Sequence, residues 1–335
     1  MINTYIIAEI GNTHEGSLGL AKQFIKTAAG CGVSAVKMQT HIFEAESLPN
    51  APNPPYFKDE TRKEYFERTA FNLNQWRELR RYSEDDLNVD FLSSPFSIEA
   101  VTLLEEVGLK AYKIPSGEVN NLPLLEKIAK TRKKVLLSSG MSSWAEIDEA
   151  VKTLESNGCI DLTVLQCTSE YPCPAEQSGL NILSEMKKRY GNIKVGYSDH
   201  TMGIAIPIAA VVLGASVIEK HFTLSQKMYG SDAMNSIEPE EFKRLVDEIR
   251  QIDLAMNSQI NKDDKVQELK QMKITFEKSI VSSKEIKEGE VITLDMLKFK
   301  KPGDGILAKD YKKIIGMKVT NSIPANHQLT MDNLN

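Results

Sequence analysis

The sequence predicts an α/β fold, a (β/α)8 or TIM barrel followed by a small β-rich domain. Eight short β-branched segments recur along the chain, with amphipathic helical segments between them. This alternation is typical of parallel strands that are joined by crossover helices. Polar residues gather at the carboxyl end of each segment, and after residue 276 the pattern changes to short β and turn elements. Eight units within roughly 256 residues favour a closed barrel.

The predicted strands are short apolar runs, which lie at Tyr5–Gly11, Ala35–Thr40, Asp90–Phe96, Ala111–Gly117, Lys134–Gly140, Leu162–Ser169, Lys194–His200 and Ser216–Thr223. The helical segments include Leu18–Cys31, Asn74–Leu87, Ile98–Val107, Leu122–Thr131, Trp144–Ser156, Gly203–Leu213 and Glu238–Met256. An open, doubly wound sheet is the alternative. Against it, the first strand ends in Glu9-Ile10-Gly11-Asn12 and no G-x-G-x-x-G turn follows.

Each predicted strand begins apolar and ends in a polar cluster. The clusters contain Glu9, Lys37, Ser93-Ser94, Lys113 to Glu118, Ser138-Ser139, Thr168-Ser169, Ser198 to His200, and Glu219 to His221. In a barrel, the carboxyl ends of all strands surround one mouth, where active sites lie. Eight polar ends in succession therefore predict a functional mouth.

The chain divides into a predicted barrel domain at 1–256, a polar linker at 257–276 and a small domain at 277–335. A long insertion, His41–Leu73, follows the second strand and includes Pro49, Pro52, Pro54, Pro55 and the charged stretch Lys58–Arg68. A loop of this length covers the mouth, contacts a partner, or is a passive surface insertion.

Composition excludes several classes of partner. Lys and Arg number 41 against 46 Asp and Glu, so the net charge of −5 provides no general field for nucleic acid or an anionic membrane. No apolar run approaches the ~20 residues that span a bilayer, and the first residues do not resemble a signal peptide. The four cysteines lack C-x-x-C spacing, so we expect reduced thiols and a cytoplasmic location.

Two of the five histidines, His200 and His221, end the last two predicted strands. Adjacent parallel strands would place both imidazoles within reach of one Mn²⁺, Co²⁺ or Fe²⁺ ion. Two ligands are weaker evidence than three. The alternative is a pair of loop histidines that are held by hydrogen bonds.

Lys37 and Lys113 lie in strand-terminal segments, where a lysine can bind phosphate as a point charge. Ser116-Gly117 and Ser139-Gly140 stand where a turn opens toward the next helix. Hydroxyls and backbone amides in such turns form a phosphate cradle. Taken singly, each Ser-Gly pair could instead be a helix N-cap. Their occurrence beside Lys113 favours an anion site.

Four acids, Glu9, Glu118, Glu219 and Asp232, are predicted at the same rim. An acid there acts as a general base or binds sugar hydroxyls. For Glu219, a salt bridge with the neighbouring Lys220 is an equal alternative. Tyr171 either contacts a substrate or fixes a proline-rich turn.

Eight motifs, in order along the chain, resemble those of the sialic acid (nonulosonic acid) synthase family. They are Ala8–Gly16, Val36–Thr40, Phe91–Phe96, Tyr112–Glu118, Leu137–Met141, Gln166–Pro172, Gly196–Thr201 and Ile218–Thr223. The resemblance covers essentially the whole chain, and the C-terminal module resembles the antifreeze-like (SAF) domain of these enzymes.

The resemblance implies condensation of phosphoenolpyruvate with an N-acylmannosamine-type sugar and release of phosphate. It implies that His200 and His221 bind a divalent metal, usually Mn²⁺. Phosphoenolpyruvate would be held by four residues, namely Lys113, Ser116, Ser138 and Ser198. The sugar or its developing alkoxide would face Glu9, Lys37, Tyr171 and Asp232. Glu118 would lie near the reacting carbon and handle the attacking water.

Two positions depart from the family pattern. Many bacterial members have Arg before the Pro-Gly of the C-terminal module, where this chain has Lys301, which keeps the charge but loses the planar fork. Members that act on N-acetylmannosamine often have Asn at the position of Ser169. The sequence therefore leaves three candidates for the sugar substrate, which are N-acetylmannosamine, its 6-phosphate, and a diacetamido-trideoxy sugar that leads to legionaminic or pseudaminic acid.

The resemblance also implies a homodimer in which the C-terminal module of one subunit, including Lys301, caps the partner's barrel. Two other functions compete. One is a synthase of a 3-deoxy-ulosonic acid phosphate, against which the SAF-like module argues. The other is a non-catalytic sugar- or ice-binding protein, for which the C-terminal module shows no flat Thr/Asn array.

Overall fold

The computed structural model of the chain describes residues 3–53 and 60–335. These residues form two compact units. The first ends at Asn257, and the second extends from Ser258 to Asn335. Within the predicted insertion, Pro54, Pro55 and Lys58 lie outside the described residues.

The first unit is a closed barrel of eight parallel strands. In chain order the strands are β1 Tyr5–Gly11, β2 Ala35–Thr40, β3 Asp90–Pro95, β4 Ala111–Ile114, β5 Lys134–Ser138, β6 Leu162–Cys167, β7 Lys194–Asp199 and β8 Val217–His221. Because β1 pairs with β8 over Tyr5 to Glu9, the predicted (β/α)8 barrel is confirmed and the open sheet is wrong. Six strands end one to three residues earlier than predicted, because the residues that follow leave the ladder and begin the loops at the mouth.

Ten helices accompany these strands in the described part of the first unit. They are α1 Leu18–Gly30, α2 Phe43–Glu46, α3 Arg62–Thr69, α4 Leu73–Arg81, α5 Ile98–Val107, α6 Leu122–Ala129, α7 Trp144–Ser156, α8 Leu180–Tyr190, α9 Ala205–Val212 and α10 Pro239–Asn257. The predicted segment Asn74–Leu87 is divided between α4 and a π turn at Tyr82–Asp86. Ser143 and Glu146 form a capping box that fixes the start of α7. None of the described helices has the length and apolar character needed to cross a membrane.

The barrel interior has an apolar lower layer and a polar upper layer. The lower layer is a buried cluster of Ile7, Ala35, Leu92, Ala111, Leu136, Leu165 and Val217. Because successive side chains of a strand point to opposite faces, the residue two positions later faces the interior nearer the mouth. Glycine stands at position 196 because a Cβ there would lie 2.4 Å from Leu165 Cδ2. The upper positions are Glu9, Lys37, Ser94, Lys113, Ser138, Cys167, Ser198 and Glu219.

A buried ion pair joins β7 and β8 on the opposite, helix-facing side. Lys220 Nζ donates to Asp199 Oδ2 at 2.6 Å and to the Thr201 carbonyl at 2.7 Å. The side chains of Lys220 and Asp199 are only 1% and 0% exposed. Breaking such a pair leaves a buried charge uncompensated, which destabilises a protein strongly.

We therefore expect Lys220→Met to lower the free energy of unfolding by about 3–5 kcal/mol, as measured by urea denaturation. Lys243→Met is the matched control, because Lys243 pairs with Asp247 on an exposed helix face. Loss of an exposed pair costs about 1 kcal/mol or less. Equal losses in the two variants would contradict a stabilising role for the buried pair.

The second unit is small and rich in short β elements. Its elements are α11 Lys262–Glu268, α12 Lys270–Phe276, β9 Ser279–Ser282, β10 Leu297–Lys300 and α13 Tyr311–Ile314. Strands β9 and β10 form an antiparallel pair, and further bridges tie later segments to them. Its own core includes Ile280, Ile286, Ile314 and Leu329. The predicted small β-rich domain is therefore present, and residues 262–276 before it form two short helices.

Candidate active site

A cavity of about 1170 Å³ lies at the carboxyl ends of the barrel strands. Its lining includes all eleven predicted site residues of the first unit, which are Glu9, Lys37, Lys113, Ser116, Glu118, Ser138, Tyr171, Ser198, His200, His221 and Asp232. The twelfth, Lys301, belongs to the second unit, where its Nζ lies 4.7 Å from the centroid of the Phe276 ring.

Two lysines and two carboxylates form an ionic cluster on the cavity floor. Lys113 Nζ donates to Glu219 Oε1 at 2.8 Å, and Ser198 Oγ donates to the same oxygen at 3.1 Å. Lys37 Nζ lies 2.8 Å from Glu9 Oε2 and 3.9 Å from Glu219 Oε1. The suggested pairing of Glu219 with Lys220 is wrong, because adjacent strand residues point to opposite faces.

The cluster controls the protonation of its members. Burial alone would raise the pKa of Glu219, but Lys113 and Lys37 lower it to about 2. Burial alone would lower the pKa of Lys37, but Glu219 and Glu9 raise it above its ordinary value. Lys37 is therefore held as an ammonium group, whereas burial raises the pKa of its partner Glu9 above the ordinary value.

His200 and His221 lie side by side, with ring centroids 5.4 Å apart. His200 Nδ1 donates to the Thr168 carbonyl at 2.7 Å, which leaves a lone pair on Nε2. The buried Nδ1 of His221 has no hydrogen-bond partner among the described residues. The Tyr171 ring centroid lies 4.1 Å from that of His200. The two imidazoles thus have the chemistry of metal ligands.

His200 and His221 are two candidate metal ligands, and the described part of the chain adds no larger set. Within residues 3–53 and 60–335, no group of three or more His, Cys, Asp or Glu side chains is placed to hold a metal ion. A metal at this position would therefore need oxygens from water or substrate to complete its coordination.

The serine turns form a cradle at one side of the cavity. Ser116 Oγ donates to Ser138 Oγ at 3.2 Å and accepts from the Gly140 amide at 3.1 Å. Glycine is needed at position 140 because a Cβ would lie 2.4 Å from Ser169 Oγ. The suggestion that Ser116 and Ser139 are helix N-caps is wrong.

The N-caps of the helices that follow these turns are other residues. Asn121 caps α6 and Ser143 caps α7, and the side chain of each accepts a hydrogen bond from a backbone amide in the first turn of its helix. The Ser116 hydroxyl is therefore not committed to a helix terminus and lines the cavity instead.

Two acids at the rim carry raised pKa values. Burial raises the pKa of Glu118, whose Oε2 accepts from Asn121 Nδ2 at 2.8 Å. Burial and the nearby Glu9 raise the pKa of Asp232 to about 6. A carboxyl group whose pKa is raised in this way takes up and releases protons more readily at higher pH than a free carboxyl group, which suits a general acid or base.

Family profiles match both units of the chain. The NeuB family profile matches residues 24–261, and the SAF domain profile matches residues 277–335. The chain belongs to the NeuB family. The resemblance inferred from the eight motifs is confirmed by these two matches.

Several proteins of known name are similar to this NeuB-family chain. The N,N'-diacetyllegionaminic acid synthase of Campylobacter jejuni is 43% identical, with coverage of 96% of this chain and 97% of its own. The human N-acetylneuraminate-9-phosphate synthase is 37% identical, with coverage of 94% and 88%. A crystal structure of the N-acetylneuraminic acid synthetase of Leptospira borgpetersenii, in complex with citrate, is 30% identical, with a TM-score of 0.69 and coverage of 80% and 91%.

The cavity of this NeuB-family chain also contains residues to which no specific role in the reaction was assigned from the sequence. Gln39, His41, Ser94 and Cys167 line it together with Glu219. Gln39 lies two positions after Lys37, so strand alternation could have placed it on the same face. Ser94 accepts a hydrogen bond from Lys37 Nζ at 2.9 Å. No local pattern signals His41, because the rings of Phe66 and Phe96 that cover it are brought to it by the fold.

Proposed function

We propose that this protein condenses phosphoenolpyruvate with an N-acylated hexosamine of the mannosamine type, releases phosphate and forms a nonulosonic acid. The observation that carries the proposal is one cavity in which an anion cradle adjoins two imidazoles and a lysine–carboxylate cluster. The names of the similar synthases support the same reaction class.

We propose that a divalent metal, Mn²⁺, adds positive charge to the cavity beside the lysine–carboxylate cluster. Phosphoenolpyruvate is highly anionic, whereas each of the two floor lysines already contacts a carboxyl group, that of Glu9 for Lys37 and that of Glu219 for Lys113. His200 and His221 would hold the ion, since His200 uses Nδ1 for the Thr168 carbonyl and the buried Nδ1 of His221 has no hydrogen-bond partner in the described structure. When bound, a divalent ion supplies Lewis-acid polarisation of the sugar aldehyde.

The reaction proposed for these residues balances with one water. The C3 carbon of phosphoenolpyruvate forms a bond to the aldehyde carbon, water adds at C2, and the C2–O bond to phosphate breaks. Lys113, Ser116, Ser138 and Ser198 hold the anionic groups and orient the enol. Lys37 delivers a proton to the aldehyde oxygen as it becomes an alkoxide.

The remaining roles lie at the rim. Glu118, whose pKa is raised by burial, is placed to orient the attacking water and accept its proton. Asp232 and Tyr171 bind the sugar hydroxyls. Glu9 holds the Lys37 ammonium at 2.8 Å and fixes the direction of its proton transfer.

We propose an unphosphorylated diacetamido-trideoxy sugar as the substrate. Besides the two floor lysines, Arg62 is the one Lys or Arg among the described lining residues, and Glu46 and Glu60 lie on the same lining. A sugar 6-phosphate would meet these acids, whereas Phe66 and Met228 offer apolar contact to a deoxy carbon. The 43% identity to a legionaminic acid synthase points the same way.

A panel assay tests both the reaction and the sugar. Phosphate release from phosphoenolpyruvate with Mn²⁺ is measured with N-acetylmannosamine, its 6-phosphate and 2,4-diacetamido-2,4,6-trideoxy sugars, with sugar-free and EDTA controls. We expect the highest kcat/KM with a diacetamido sugar and the lowest with the phosphate. Release with none of them would contradict the synthase and favour a sugar-binding protein. Release only with an unacylated aldose phosphate would favour a 3-deoxy-ulosonic acid phosphate synthase.

We further propose a homodimer in which the second unit, with Lys301, completes the partner's cavity, and a cytoplasmic location. Family membership and the SAF domain support the exchange. The four cysteines are free thiols, as expected in a reducing compartment. Light scattering should give about twice the chain mass of 37.5 kDa. A monomer at micromolar protein would count against the exchange.

A further inference from the structure

His41 occupies a narrow slot beside the cavity, immediately after β2. Its side chain is 7% exposed. The ring lies between two aromatic rings, with centroid distances of 3.8 Å to Phe66 and 4.0 Å to Phe96 and interplanar angles of 6° and 21°. With both faces covered, the ring can form hydrogen bonds only along its edge. An imidazole suits this slot, because its two nitrogens lie in the plane of the ring and are directed outward from its edge.

Both ring nitrogens of His41 are engaged in hydrogen bonds. Nε2 lies 3.1 Å from Gln39 Oε1, and Nδ1 lies 2.8 Å from Glu46 Oε1. The other oxygen of Glu46 accepts from the Ile42 amide at 3.2 Å, which fixes the carboxylate. The insertion that follows β2 is thus tied back onto the barrel strand through His41.

The donor and the acceptor of each hydrogen bond from His41 through Gln39 to Glu9 can be assigned. Gln39 Nε2 donates to Glu9 Oε1 at 3.0 Å, so the carbonyl oxygen of Gln39 must accept from its other neighbour. His41 Nε2 therefore donates to Gln39. Because Glu9 Oε2 lies 2.8 Å from Lys37 Nζ, a continuous chain extends from Glu46 through His41 and Gln39 to the Glu9–Lys37 pair.

We propose that His41 is a positioning residue, which acts through Gln39 to fix the Glu9 carboxylate and thereby the direction of proton delivery by Lys37. This inference rests on the proposed function. Without the His41 donor, the Gln39 amide loses the contact that defines its orientation, and Glu9 keeps only the lysine. The consequence is a slower proton transfer with unchanged binding of phosphoenolpyruvate, since the hydrogen bonds of His41 go to Gln39 and Glu46 rather than to the anion cradle.

His41→Phe tests the inference, because it keeps a flat ring in the slot and removes both hydrogen bonds. We expect kcat to fall about 10- to 100-fold, by analogy with the loss of outer-shell partners that orient metal ligands, and KM for phosphoenolpyruvate to stay within about twofold. His41→Gln restores an Nε2 donor toward Gln39. The decrease in log kcat for this variant should therefore be at most half of the decrease for His41→Phe. Equal kcat for His41→Phe and the unaltered protein would overturn the inference.

His14→Phe is the matched control, since His14 is a second buried histidine, stacked on Phe71 at 4.5 Å and outside the cavity lining. Its kcat should be unchanged, and a loss equal to that of His41→Phe would overturn a specific role for His41. A crystal structure of His41→Phe shows whether the Gln39–Glu9 hydrogen bond depends on His41, and it needs no measurement of activity. Loss of the Gln39–Glu9 contact supports the inference, and its retention overturns it. This outcome is independent of whether any sugar in the panel is a substrate.

Discussion

Lys113→Met is expected to lower kcat/KM for phosphoenolpyruvate by about 10²–10³-fold, the loss typical of removing one preorganised electrostatic contact. Lys113 Nζ is buried at the barrel centre, 2.8 Å from Glu219 and next to the serine cradle. In this enclosed position a positive charge stabilises the departing phosphate more than it would in water. Initial rates of phosphate release over a range of phosphoenolpyruvate concentrations measure the effect.

Lys110→Met is the matched control for this change. Lys110 directly precedes the same strand at its opposite end, is 67% exposed and pairs with Glu84. Its removal should leave kcat/KM unchanged. Lys113→Met also leaves Glu219 buried without its main partner, so the double variant Lys113→Met/Glu219→Gln separates stability from catalysis. The double variant should regain thermal stability but not rate. A Lys113→Met enzyme with more than a tenth of normal kcat/KM would contradict the assignment.

The barrel and its mouth are predictable from local sequence because each strand contains both layers of the interior. In β5, for example, Leu136 belongs to the apolar layer and Ser138, two positions later, faces the cavity. A run that starts apolar and ends polar therefore encodes both the strand and its direction. Eight such runs place their polar ends at one mouth in any closed parallel barrel.

The partners of the buried charges were not predictable in this way. Glu219 pairs with Lys113, which is 106 residues away, although Lys220 is its neighbour in sequence. That choice depends on barrel closure, which brings β4 and β8 to opposite sides of one interior. The placement of His41 depends on the insertion, since Phe66 on α3 and Glu46 on α2 both fold back onto it. No spacing along the chain records these contacts.

The serine turns show the same limit for a single motif. Ser116 and Ser139 stand where helix N-caps are common, and one motif alone left the choice open. The structure decides through residues further along the chain, because Asn121 and Ser143 occupy the cap positions. The preference for an anion site depends on both turns together with Lys113, and that assignment stays a prediction.

His200→Ala is expected to abolish metal-dependent turnover, with a loss of about 10³-fold or more. Lewis-acid assistance by a metal contributes several kcal/mol, and each 1.36 kcal/mol is a tenfold change in rate. His200 is also fixed by its bond to the Thr168 carbonyl, so a water that replaces it would not be held in the same orientation. Rates with and without Mn²⁺, together with calorimetric titration of Mn²⁺, measure turnover and binding separately.

His327→Ala is the control for this change, because His327 is an exposed histidine of the second unit. It should bind Mn²⁺ and release phosphate at the normal rate. Weakened Mn²⁺ binding in His200→Ala, with lost turnover at saturating phosphoenolpyruvate, would establish a ligand role. His221 would keep its unpaired nitrogen in this variant and could still bind Mn²⁺ as a single ligand. A high concentration of Mn²⁺ should therefore recover a small part of the rate. Full metal-dependent turnover in His200→Ala would show that the metal is bound elsewhere.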